Sequence, residues 1–203
     1  MPWYNTTQIS SLQPAQVTAQ GSAGITNLTA AQIAAFSTAQ IGAIVSDAFA
    51  ALTSSQMRSF SATQIGVLST AQGQSLVSSN IPGLTSSAAG SLSTAILTLF
   101  TPDEVGSLTN TQLTAFSTAK IALIGVASLT SDSIRGVSTA AMAGLTTVQL
   151  QALTTANIKG LGATQLQAID SANVTALETQ DIAALSSAQI RAFLPEQVRG
   201  MLS

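Results

Sequence analysis

The chain has 203 residues and 46 % apolar residues at a mean hydropathy of +0.42, enough for a sizeable core. Only 7 % of residues are charged, against about 25 % in ordinary globular domains. It contains no Cys and no His, which excludes structural zinc sites, haem ligation through those residues, thiol catalysis, His-based triads and disulfides. Six bases and a net charge of -2 argue against a phosphate-binding surface, because non-specific nucleic-acid affinity comes mainly from Lys and Arg.

Taken in chain order, residues 1–3 form a short lead, and an eight-residue repeat then begins at Tyr4. Every eighth residue from there is apolar except Gln20: Leu12, Leu28, Phe36, Ile44, Leu52, Phe60 and onward to Ile124. At residues 124–128 the unit is three residues short, and the series resumes at Leu129 and runs through Phe193 to Met201. The domain organisation read from this is a lead at 1–3, repeats over 4–123, a truncated repeat with an expected kink at 124–128, and repeats over 129–203 with a charged capping unit at the C-terminal side. Residues 73–91, where Gly73, Pro82 and Ala89 interrupt the pattern, are expected to pack more loosely. Trp3 and Tyr4 are placed to cover the N-terminal end of the core.

With positions numbered 0 to 7 from the large apolar residue, the consensus is L-S-T-A-Q-I-x-A, seen at Phe36–Ala43. Position 5 is a second apolar site, and position 7 is mostly Ala, Gly or Ser. A strand would place positions 0 and 5 on opposite faces, whereas a helix uses the whole pattern. Position 1 is Ser or Thr in 15 of the 24 full octads, and position 4 is Gln in 12 and Asn in 3. Ser or Thr followed three residues later by Gln is a capping box, and the apolar residues at positions 0 and 5 then form the hydrophobic staple.

Two features outside that register agree with it. Pro14, Pro102 and Pro195 fall at position 2, the first helical residue, which proline favours. All eight acids lie at positions 1 to 4, and five of six bases (Arg58, Arg135, Lys159, Arg191, Arg199) lie at position 6, as the helix dipole prefers. The expected fold is therefore all-α: a solenoid of about 24 very short helices, one per octad, spanning positions 2 to 7. Leu and Ile lie inside, small residues at position 7 let turns approach, and Ser, Thr and Gln line the outside. Helices this short need their neighbours, since isolated short helices are unstable in water.

No site for chemistry emerges. Asp103–Glu104 and the pair Glu178 and Asp181 could form a carboxylate site, but Glu178 and Asp181 stand where the repeat wants a polar cap, Glu178 replacing Ser and Asp181 replacing Gln. The serines lack a base, and no phosphate-binding glycine loop occurs. No catalytic, cofactor-binding or metal-binding residue is expected, and neither is an enzyme. There is no Sec-type signal and no apolar run long enough to span a membrane.

Strings such as Leu68-Ser69-Thr70-Ala71-Gln72 and Leu185-Ser186-Ser187-Ala188-Gln189-Ile190 resemble the LTTAQIAAL octapeptide tracts of large bacterial secreted or surface proteins, some of them adhesin- or haemolysin-like. The resemblance implies an extracellular structural or adhesive module, with itself, a surface glycan or another protein as partner. The Gly/Asp-rich calcium nonapeptides of such proteins are absent here. The leading functional expectation is a spacer, adhesin or matrix segment that associates end to end, through Trp3, Tyr4 and Ile9 at one end and Met201 and Leu202 at the other. The alternative is a module presenting Ser, Thr and Gln to a glycan, polymer or ice surface. Exposure of those side chains separates the two readings. A consensus-designed repeat is disfavoured by the irregularities at Gly73, Pro82 and residues 124–128.

Overall fold

A computed structural model describes residues 4–201. Trp3 and Leu202, both assigned to the ends of the core, lie outside the described residues. The chain divides into two compact units, Met1–Ser107 and Leu108–Ser203. Among the described residues there are helices and turns and no strand.

One element forms per octad, but the elements are not all α-helices. Among the described residues there are twenty α-helices of four to seven residues and five 3-10 helices, rather than about 24 helices of one kind. Most α-helices start as the repeat dictates; those that follow Gln20, Val45 and Glu178 have no side-chain cap. In the helix Thr38–Gly42, Ser37 accepts a hydrogen bond from the Gln40 backbone N–H at 3.3 Å, and the Ser37 N–H donates to Gln40 Oε1 at 2.8 Å. The same reciprocal pair opens the helices at Asn5, Thr29, Thr53, Ser61, Ser69, Thr109, Thr146 and Ser186. Thr101 and Glu104 make an equivalent pair, with a carboxylate oxygen in place of the amide oxygen. Replacing Ser37 by Ala is expected to cost about 1 kcal/mol and Thr38→Ala, one residue inside the helix, much less. Equal losses in thermal melts would show that Ser37 is not the cap.

Four of the five 3-10 elements fall in octads with a polar residue shorter than Gln at position 4. In four octads, Ile81–Gly83, Ser133–Gly136, Ile158–Gly160 and Val174–Ala176 replace the α-helix, and these are the octads with Asn80, Ser133, Asn157 and Asn173 at position 4. Asn is one methylene shorter than Gln. To make the contacts that Gln makes, its backbone must be drawn inward, and the first helical turn is lost. The fifth, Val126–Ser128, is the truncated repeat. It lacks positions 2 to 4 and keeps the same three-residue turn, with Val126 buried in the role of position 5.

Within each unit, every octad packs on the one three steps further along. Gly21–Thr26 meets Ser46–Ala51, Ala62–Gly66 meets Ser86–Gly90, and Thr139–Ala143 meets Ala163–Ala168. The truncated repeat counts as one full step. Gly83 lies against Ser54 and Gly160 against Ser131, whereas across residues 124–128 Gly136 lies against Asn110 and Gly144 against Thr118, three residues closer in sequence. Apolar positions 0 and 5 form the core of both units, with Ile9, Ile33, Ile41, Phe49, Met57 and Ile65 at 0 % exposure.

Two expectations are corrected by this packing. Residues 73–91 are not loose: Leu76, Ile81, Ala88 and Ala89 are fully buried. Gly73, which breaks the apolar rule, leaves the space that Ile96 fills, so a Cβ on Gly73 would meet Ile96 side-chain carbons at 2.5–2.7 Å. Ile96 itself stands where Gln is usual, so two departures from consensus fit each other. Nor is position 7 small for packing throughout. Val67, Leu99 and Leu123 occupy it while more than 40 % exposed. Close approach is plain at the glycines of three 3-10 octads: a Cβ on Gly83, Gly136 or Gly160 would fall on the carbonyl oxygen of Ser54, Asn110 or Ser131.

Candidate functional site

The feature that repeats with function-like regularity is the position-4 amide. Its oxygen serves the cap, as expected from the sequence. Its nitrogen does something that local reasoning could not supply. Gln40 Nε2 donates to the carbonyls of Ile9 and Leu12, both at 2.7 Å. Gln64 reaches Ile33 and Phe36, and Gln72 reaches Ile41 and Ile44. In the second unit Gln165 reaches Ile134 and Val137, Gln189 reaches Leu161, and Gln197 reaches Leu166 and Ile169. The partners lie 28 and 31 residues back. They are the position-0 and position-5 carbonyls at helix C-termini, where a helix runs out of partners of its own; the position-5 carbonyl also accepts from the backbone N–H three residues on. Asn80 and Asn157 make the shorter version, to Phe49 at 2.7 Å and Val126 at 3.0 Å. One amide thus satisfies the start of its own helix and the end of another.

These amides do not line the outside, as the sequence suggested. Gln32, Gln40, Gln64, Gln72, Gln112, Gln165 and Gln197 are buried. Gln8 and Gln16 are exposed, because no described octad lies 28 residues before them. The sequence signal was present in the preference for an amide over Glu: both cap an N-terminus through oxygen, but only an amide also donates.

The acidic pair at Glu178 and Asp181 does not behave as a cap. Glu178 makes no side-chain cap, and its Oε2 accepts instead from Gln180 Nε2 at 2.6 Å. Asp181 is at 0 % exposure, and neither carboxyl oxygen has a hydrogen-bond partner. Burial, and secondarily the Glu178 carboxylate, push its carboxyl above the usual range. At Lys120, which also stands in a Gln position, burial lowers the ammonium instead. Both shifts disfavour the charged form, as desolvation requires.

The second unit also has an open groove of about 960 Å³. Arg135 and Lys159 line it with Ser138, Thr139, Thr164 and Ser186, beside Gly136, Gly160 and Gly162. Both bases are exposed, and no acid lines the groove. At the N-terminal side, Tyr4 is 36 % exposed but Ile9 is fully buried, so Ile9 presents nothing to a partner. At the C-terminal side, Ile190 and Val198 are each 42 % exposed at position 5, a position otherwise almost entirely buried.

Among the described residues no group of three or more acids could hold a metal ion, and no helix is long and apolar enough to cross a membrane. No curated protein matches the chain. Residues 147–179 and 174–203 match the family model of the ALTTAQ repeat. The consensus L-S-T-A-Q-I-x-A is of that kind, and the position-4 Gln of that motif is the amide that joins the octads. The chain is an all-α repeat protein whose residues 147–203 match the ALTTAQ repeat.

Proposed function

We propose that this chain is a structural or interaction scaffold, without enzymatic activity or cofactor, whose octads wind as a solenoid and which serves outside a bacterial cell as a spacer, adhesin or matrix module. The observation that carries this reading is the amide ladder. The position-4 amides, which a binding surface would need free, are committed to helix starts and to carbonyls 28 and 31 residues away. Packing that recurs every three octads within each unit supports the solenoid reading, since the repeats of a solenoid touch only those of adjacent turns. Export rests on the resemblance to bacterial surface proteins.

End-to-end association is part of the proposal. Ile190 and Val198 offer apolar surface at one side, and a contact between unlike ends need not close on itself. Sedimentation velocity over a wide concentration range tests it. Larger species are expected as concentration rises, and Ile190→Glu with Val198→Glu should return the protein to monomer. A wild-type monomer throughout would remove self-association. A second reading, favoured by the groove with Arg135 and Lys159, is binding of an acidic surface glycan. It requires that an acidic but not a neutral oligosaccharide bind, and that Arg135→Gln with Lys159→Gln abolish the binding.

A further inference from the structure

Asp181 occupies the ladder position of its octad and makes none of the ladder's bonds. By the spacing of Gln165 and Gln197, an amide at 181 would donate to the carbonyls of Leu150 and Leu153. A carboxylate there can only accept, and it would turn negative charge toward carbonyl oxygens. The side chain is at 0 % exposure with both oxygens unpartnered, so water does not solvate the charge either. A carboxylic acid has one O–H to donate and carries no charge, and so suits this place better.

We propose that Asp181 makes the packing of residues 177–184 on residues 153–160 sensitive to pH: the packed octads hold the carboxylic acid, and its ionisation loosens them. The helix Thr179–Ala184 packs on the turn Ile158–Gly160, which brings Lys159, an exposed side chain. On its own octad Asp181 faces Glu178, whose charge opposes a second negative charge. The adjoining elements Val174–Ala176 and Ser187–Ile190 carry no titratable residue themselves, but their octads bring Asp170 and Arg191, and the next octad brings Glu196 and Arg199. No cation offsets the charge: burial and Glu178 act in the same direction.

The sign follows from linkage. The folded chain keeps a proton on Asp181 that the unfolded chain releases near its ordinary carboxyl value. Stability is therefore highest below that value and falls as pH rises through the interval up to the raised folded value. Thermal melts of the full chain between pH 4 and 8 read this out. Asp181→Gln restores the ladder amide and removes the titration. Its Tm should lie above wild type by about 2–4 °C or more at pH 7, with the gap growing steadily from pH 4. Glu178→Gln keeps the acid but removes its negative neighbour, and should shrink the wild-type loss of Tm between pH 4 and pH 7. Hydrogen exchange corrected for its intrinsic rate should place the pH-dependent opening in residues 153–160 and 177–184. Parallel pH curves for wild type and Asp181→Gln would overturn the proposal. So would a Glu178→Gln curve indistinguishable from wild type if Asp181→Gln does not fold.

Discussion

Gly160→Ala is expected to destabilise the second unit by about 3 kcal/mol or more, the upper range for inserting a carbon into a packed site. The added Cβ would fall on the carbonyl oxygen of Ser131 and lie 2.8 Å from Ile134 Cγ2. A flexible side chain can turn aside, but a backbone carbonyl held in a neighbouring turn cannot. Gly83 and Gly136 face the same obstacle at Ser54 and Asn110. Gly42 is the control. A Cβ there meets nothing within 4 Å, and Gly42→Ala inside a helix should gain up to about 1 kcal/mol. Urea titrations followed by far-UV circular dichroism would separate the two. If Gly160→Ala and Gly42→Ala shift the midpoint alike, the close approach of backbones in the 3-10 octads is not there.

The second large effect is expected at Gln72. It is 2 % exposed, its oxygen accepts from the Ser69 N–H at 2.9 Å, and its nitrogen donates to Ile41 O and Ile44 O at 2.9 and 2.8 Å. Gln72→Leu keeps the volume but strands the Ile44 carbonyl, leaves the Ser69 N–H without its cap, and removes one of the bonds to the Ile41 carbonyl, which still accepts from the Ile44 N–H. Each such group costs about 1–3 kcal/mol, and relaxation will spread that cost, so a net loss of about 2–4 kcal/mol is the expectation. Gln72→Glu should be worse at neutral pH than at pH 4, because a charged carboxylate would face the same carbonyls. Gln8, exposed and bonded only within its own cap through Asn5, should lose about 1 kcal/mol or less on replacement by Ala. A loss at Gln72 no larger than at Gln8 would show that the amide is a cap and nothing more.

The octad register, most of the caps and the all-helical class were legible because they are local. Ser37 and Gln40 are three residues apart, and their pairing needs no knowledge of the rest of the chain. What was not legible depends on residues about 30 positions apart. The outward placement of Gln failed because the partners of its nitrogen become visible only once octads stack three steps apart. The looseness expected at Gly73 failed for the same reason: the residue that fills the gap, Ile96, is 23 positions away. The assignment of Asp181 as a cap treated Gln and Asp as equivalent acceptors and overlooked the donor that Asp lacks. The 3-10 octads, by contrast, had a signal that went unread, since Asn80, Asn157 and Asn173 mark three of them in the sequence.

Helices often end on a residue with positive φ, usually glycine. Here the only described residue with positive φ is Gly21, at 60°. Other helices end on ordinary right-handed or extended residues, such as Ala35 at φ -80° and ψ -11° and Leu12 at φ -62° and ψ 139°. Any L-amino acid adopts either conformation, so no special residue has to recur for the chain to change direction. The tie between octads is likewise set by a fixed number of steps, not by the identity of a particular partner. A segment of 24 nucleotides copied in frame would therefore carry its own start signal, its own turn and a donor that finds a carbonyl waiting for it. A gene with this property can lengthen or shorten by slippage during replication and still encode a chain that folds.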